Sequence, residues 1–126
     1  MADFEQGSFT RGSTGSSVIS MEGAFTPSYF EFSIGPRTST NETHVIYSSG
    51  SQDINLDRKQ ACSIFDDGTV RGTRETTSYA ITHYKNVSGT LTKVISGSVT
   101  AVDAGEFTVN FDTVDVNYTI RFRAFA

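Results

Sequence analysis

The sequence predicts an all-β protein: a single antiparallel β-sandwich, jelly-roll-like, with about eight to ten strands and no significant helix. Three observations carry this. Apolar side chains recur at every second position, most clearly at Phe107, Val109 and Phe111 and again at Val116, Tyr118, Ile120, Phe122 and Ala124. A period of two sends successive side chains to opposite faces, the pattern of a half-buried strand. Turn signals break such runs at the ~8–12-residue spacing of a sandwich or barrel, and no window holds a sustained 3.6-residue stripe. Ten phenylalanines and five tyrosines supply the bulk, with no tryptophan, in a background rich in serine, threonine and glycine. That balance favours strands and turns over helices.

A chain of 126 residues, 37% hydrophobic and 19% charged, suits one domain with a real core. Residues 1–15 read as an N-terminal arm and first hairpin strand, and 16–126 as the sandwich. Ser8 to Arg11 is strand-like, Gly12 to Gly15 turns the chain, and Val18 to Met21, at the start of the second segment, reads as the returning partner. Gly23 to Pro27 is a corner, with Pro27 at a strand start because proline lacks the ladder donor. Ser28 to Ile34 is the strongest central strand, its Phe30, Phe32 and Ile34 on one face.

Thr38 to Glu42 reads as polar loop, Thr43 to Ser49 as strand, and Ser49 to Lys59 as a long polar loop. Gln60 to Phe65 is a short strand ended by the Asp66-Asp67-Gly68 turn signal, with a charged loop through Arg74. Thr76 to Tyr84 is one long β-prone run, and Asn86 to Gly89 turns. Thr90 to Ile95 and Ser98 to Val102 read as two strands around Gly97. Phe107 to Phe111 and Val116 to Ala126 read as a closing hairpin through a short Asp/Thr connector. The last strand, long and unbroken, belongs inside a sheet. Phe30, Phe32, Phe107, Phe111, Ile120 and Phe122 are expected to share one core.

The formal charge is −4, which gives no basic field for a polyanion, so no nucleic-acid partner is expected. Arg58, Lys59, Arg71 and Arg74 are interspersed with acids and read as a solvated loop face. The start, MADFEQGSFT, has neither basic residues nor an apolar run, so no signal peptide is expected, and no run approaches the ~20 apolar residues of a membrane helix. The expected site of synthesis is a cytoplasm, with no membrane partner.

One cysteine, Cys62, and two histidines, His44 and His83, are the only soft or imidazole groups. None has metal-site spacing, so Cys62 reads as a small buried apolar residue and the histidines as cross-strand polar pairs. Asp66 and Asp67 could offer oxygens to calcium, but an Asp-Gly turn explains them without a metal. Glu31, Glu75 and Glu106 are carboxylates that would need a cleft to serve in glycoside hydrolysis. No nucleophile-elbow, P-loop or dinucleotide motif occurs. The expectation is a protein with no enzymatic activity, no cofactor and no metal.

The order GSFTRGSTGSSVISMEGAFTPSYFEFSI, then CSIFDDG, then AGEFTVNFD and VNYTIRFRAFA resembles small all-β structural proteins of tailed-phage virions. Such chains have a short N-terminal hairpin, a Gly-x-x-Pro-type corner, an aromatic strand, a serine-rich middle and a closing Tyr-containing strand. Here the corner is Gly23 to Pro27, the aromatic strand Tyr29 to Phe32, and the closing pair Phe107 to Asn110 with Tyr118 to Ala124. The resemblance covers both ends and thins between Thr38 and Asn86. It implies a virion component, a head-decoration, tail or adhesion-related module, assembled in the host cytoplasm as a homo-oligomer against a neighbouring shell or tail protein. It brings no catalytic residues.

Six aromatic residues are candidate interface positions: Phe4, Phe9, Tyr29, Tyr47, Tyr79 and Tyr84. Phe4 is expected on a neighbouring subunit, and Phe9 in its own core through the first hairpin. Tyrosines interleaved with Ser, Thr and Asn also suit stacking on sugars, so the alternative is a lectin-like module binding a host surface glycan.

Overall fold

The structure, a computed structural model, describes residues 3–35, 45–66, 71–87, 90–115 and 117–126. Ten strands are described: β1 (Phe4–Arg11), β2 (Gly15–Ser20), β3 (Tyr29–Ile34), β4 (Val45–Asp53), β5 (Arg58–Asp66), β6 (Arg71–Thr76), β7 (Ile81–Val87), β8 (Thr90–Asp103), β9 (Glu106–Val114) and β10 (Tyr118–Phe125). They form a six-stranded sheet in the order β1-β10-β3-β4-β5-β6 and a four-stranded sheet in the order β2-β9-β8-β7, antiparallel throughout. No helix occurs among the described residues, and the predicted all-β sandwich is the fold found.

Neither terminal hairpin of the sequence reading exists. β1 pairs with β10 along its whole length, Phe4 opposite Phe125 through Arg11 opposite Tyr118. β2 pairs with β9, Gly15 opposite Phe111 through Ser20 opposite Glu106. The two chain ends therefore run as one antiparallel ribbon that bends from the six-stranded sheet into the four-stranded one. This ribbon is the jelly-roll character of the fold; the remaining strands run as two meanders, β3 to β6 and β7 to β9. The short polar connectors change sheet instead of closing turns. At the first, Gly15 has φ 99°, a left-handed conformation open to glycine at no steric cost. At the second, Asn117 lies directly against Gly12, so the two bends stack at one corner. The segment read as an arm is thus an ordinary strand of its own sandwich.

β10 lies between β1 and β3, inside the sheet, as its unbroken alternation predicted, although Val116 lies outside the described residues. Its Tyr118, Ile120, Phe122 and Ala124 are buried, alternating with exposed Thr119, Arg121 and Arg123. β3 buries Phe30, Phe32 and Ile34, and β9 buries Phe107, Val109 and Phe111 from the other side. All six predicted core residues meet in one cluster. Phe107 is its hub, with ring centroids 4.8 Å from Phe30 and 5.1 Å from Phe122.

Four further expectations change. Gly50 to Asp53 continue β4, so the long loop shrinks to the turn between Asp53 and Arg58. Arg71 to Thr76 is a strand, so the charged loop is a sheet edge. The run from Thr76 to Tyr84 is cut after Thr76, where the chain leaves one sheet for the other and resumes at Ile81. The two strands around Gly97 are one 14-residue strand with irregular register at Ser96/Gly97 and Val99/Ala101. The loop expected at Thr38 to Glu42 lies outside the described residues, as do Asp67 and Gly68 of the next turn.

Candidate functional site

The inner face of β4 is polar: Ser48, Gly50 and Gln52 follow Ile46. Gly50 is glycine because a β-carbon there would collide with the Ala80 carbonyl of the chain entering β7. The sheets meet here through hydrogen bonds. Ser48 Oγ lies 2.7 Å from Ser63 Oγ and 2.6 Å from His83 Nδ1 across the core. Gln52 donates Nε2 to the Val99 carbonyl and accepts the Val99 N–H at Oε1, both at 2.8 Å. That carboxamide replaces a strand partner where the ladder of β8 is irregular. The edge of the His83 ring meets Tyr118 with centroids 5.6 Å apart, and the Tyr118 hydroxyl donates to Asp115 Oδ1 at 3.0 Å.

Ser48 and His83 stand at the separation of a nucleophile and its base, yet only 6% of Ser48 and 3% of His83 is exposed. A reacting carbonyl has no room to reach Ser48 between packed sheets. Burial pushes the His83 pKa from 6.5 down to about 4, against the weaker opposing pull of Asp115. The histidine expected as a cross-strand polar pair is instead a neutral bridge between the sheets. His44 lies outside the described residues.

The outer face of the six-stranded sheet holds the accessible chemistry. A groove of about 800 Å³ runs over Tyr29, Glu31, Ser51, Gln60, Cys62 and Glu75. A second, about 640 Å³, adjoins it over Gln6, Ser8, Arg121 and Arg123, sharing Glu31, Ser49 and Gly50. Cys62, read as a buried apolar residue, is half-buried and faces this groove, because Ala61 and Ser63 take the inward positions of β5. Glu31 and Glu75 stand on opposite sides of it, on β3 and β6, while Glu106 belongs to the other sheet. Asp66 is paired with Arg71 at 3.0 Å, and Asp67 lies outside the described residues. Among the described residues no group of three His, Cys, Asp or Glu could hold a metal ion, and no helix is long and apolar enough to cross a membrane.

At one end of this face three rings sit side by side across three strands. Register places Phe4 of β1 beside Phe125 of β10, and Phe125 beside Tyr29 of β3. Centroids are 5.1 Å apart for the first pair and 5.7 Å for the second. Phe4 remains 49% exposed and Tyr29 36%. At the opposite end Tyr47 pairs with Ile64, both more than half exposed.

Of the six candidate interface residues, the fold gathers Phe4, Tyr29 and Tyr47 on one face. Phe4 rests on its own chain, against Phe125. Phe9 is half-buried in the core, within 6.5 Å of the Phe107, Phe111 and Phe122 centroids. Tyr79 precedes β7 under the Lys93 ammonium, 5.0 Å from the ring, and Tyr84 is half-buried on β7. Phe125 and Ile64 escaped the sequence reading. Phe125 had a signal: Ala124 is in phase with Ile120 and Phe122, which leaves Phe125 on the polar face with Arg121 and Arg123.

No family model, no curated protein and no solved structure matches this chain.

Proposed function

We propose that this chain is a non-enzymatic structural subunit of a virion that binds copies of itself and a neighbouring shell or tail protein. The observation that carries the reading is the row of exposed Phe4, half-buried Phe125 and exposed Tyr29 at the margin of the six-stranded sheet. Aromatic rings left half in water beside a sheet edge favour protein contact, since such a contact removes apolar surface from water and offers partners to backbone groups. The likeness of both chain ends to virion proteins supports the same reading, as does the enclosure of Ser48 and His83 between the sheets. Assembly in the host cytoplasm follows from that likeness.

A second reading, a lectin-like module, is favoured by the groove: a tyrosine ring at its rim, with carboxylates, a carboxamide and hydroxyls along it, suits stacking on and hydrogen bonding to a neutral sugar. Sedimentation velocity over a concentration series, with and without a panel of neutral oligosaccharides, separates the two. The structural reading expects a concentration-dependent assembly that Phe4→Ser weakens and sugars leave alone. A protein that stays a single chain at every concentration, and binds a sugar through Glu75 and Gln60, overturns it.

A further inference from the structure

We infer that self-association runs through the open edge of β1, two copies joining antiparallel about a two-fold axis at Gly7 so that two six-stranded sheets become one continuous sheet. This rests on the structural-subunit reading above and names its contact. Ala126 N–H donates to the Asp3 carbonyl at 3.1 Å, so the backbone groups of Asp3 point toward β10. Backbone direction alternates along an antiparallel strand. Asp3, Glu5, Gly7, Phe9 and Arg11 therefore serve β10, while Phe4, Gln6, Ser8 and Thr10 send their N–H and C=O groups to the free side. Among the described residues no strand covers that side.

The other three edges carry the devices that block pairing. β6 has Arg71, Arg74 and Glu75 within six residues. β7 has Lys85 and a register break at His83/Tyr84. β2 is only six residues, opening on Gly15. β1 has eight residues with no proline, lysine or bulge, and its two charged side chains are held within the chain, Glu5 by the Glu22 and Gly23 N–H groups and Arg11 by the Ser13 and Thr14 carbonyls. Its free side is also self-complementary. With Gly7 on the axis, Phe4 falls opposite the partner's Thr10 and Gln6 opposite the partner's Ser8. Every open N–H and C=O of the four residues then finds a partner. Asp3 falls opposite the partner's Arg11, placing opposite charges at both ends of the seam, and no like charges face each other. The exposed ring of Phe4 lies at each end of this seam.

The test uses the full chain with Cys62→Ser. Gln6→Cys and Ser8→Cys variants are oxidised each alone and as an equimolar mixture. Directly opposed residues of a hydrogen-bonded pair sit about 5.5 Å apart at Cα, within disulfide reach. The mixture is expected to yield a covalent dimer and each variant alone essentially none. A covalent dimer from Ser8→Cys alone overturns the Gly7-centred register. In parallel, Gln6→Glu/Ser8→Glu places carboxylates opposite carboxylates across the seam, while within the chain they face Arg123 and Arg121. It is expected to halve the sedimenting mass with the melting temperature of the single chain kept. An assembly unchanged by these carboxylates overturns the edge contact and leaves the structural-subunit reading standing; a wild-type protein that is monomeric throughout overturns both.

Discussion

Beneath β3, β9 and β10 the sheets meet through phenylalanine rings; beneath β4, β7 and β8 hydroxyls, an imidazole and a carboxamide are set among smaller aliphatic side chains such as Ile46, Ile81, Ile95 and Val99. In the first half Phe30, Phe107 and Phe111 are at most 1% exposed; Phe30 packs on Phe107, and Phe9 lies between Phe107 and Phe111. In the second, Ser48, Ser63, Thr82, His83 and Ser96 are also buried, at most 6% exposed, and among the described residues the hydroxyls of Thr82 and Ser96 have no partner. Each fully buried phenylalanine contributes about 1.5–3 kcal/mol from removal of apolar surface, whereas a satisfied buried hydrogen bond nets about 1. The same sandwich thus has an aromatic half that carries stability and a polar half that sets how the sheets are aligned. The close approach at Gly50 explains why: two backbones that nearly touch leave room for short side chains and for hydrogen bonds between them.

The contrast breaks most visibly at Phe107. Phe107→Ala removes the ring that Phe30, Phe32 and Phe122 all touch. The expected loss is about 3–5 kcal/mol, read from urea or guanidinium midpoints. A loss below ~1 kcal/mol would mean that the aromatic half collapses into the gap and is not the stabilising half.

What could be read in the sequence follows the same division. Strict alternation exposed β3, β9 and β10 and their inward phenylalanines, because one face of each is fully apolar. β4 did not show itself past Ser49, since Gly50 and Gln52 face inward and Ser51 and Asp53 outward, with no apolar residue to mark either face. Strand pairing at the chain ends is hidden in the sequence for another reason. A short polar connector looks the same whether it closes a turn within one sheet or carries the chain to the other. Only pairing between the ends of the chain decides, and those partners, such as Phe4 with Phe125 and Ser20 with Glu106, are far apart in sequence. On the outer face, Phe4 and Tyr29 were visible as exposed aromatics, while their meeting through Phe125 depends on β10 lying between β1 and β3.

Acid should act on the polar half alone. His83 has a pKa near 4 when folded against 6.5 ordinarily, so it is neutral in both states above pH 6.5 and contributes nothing to pH dependence there. Between 6.5 and 4 the unfolded chain takes up a proton that the folded chain resists, and stability falls as pH falls. Summed over that window the loss is about 3 kcal/mol, at about 1.4 per pH unit. His83→Asn has no group titrating in this range. Unfolding free energies at pH 7.5 and 4.5 should therefore converge in the variant relative to wild type. Equal pH slopes in the two proteins would assign the acid response to carboxylates and leave His83 without a part in it.

The smallest expected effect tests whether the polar half is held by hydrogen bonds or merely by shape. Gln52 satisfies both backbone groups of Val99 at a position where β8 and β9 fall out of register. Gln52→Leu keeps nearly the same bulk and removes both bonds, leaving a buried N–H and a buried C=O. A buried group left unsatisfied costs ~1–3 kcal/mol, but leucine regains some of this by burying methyl groups in place of the amide. The net expectation is a loss of about 2 kcal/mol, smaller than at Phe107. Native-state hydrogen exchange adds a local readout: the Val99 amide should lose protection while the Val109 amide in the aromatic half keeps it. If stability and Val99 protection both survive the substitution, the alignment of the sheets at β4 rests on packing around Gly50, and the division of the core into a stabilising half and an aligning half does not hold.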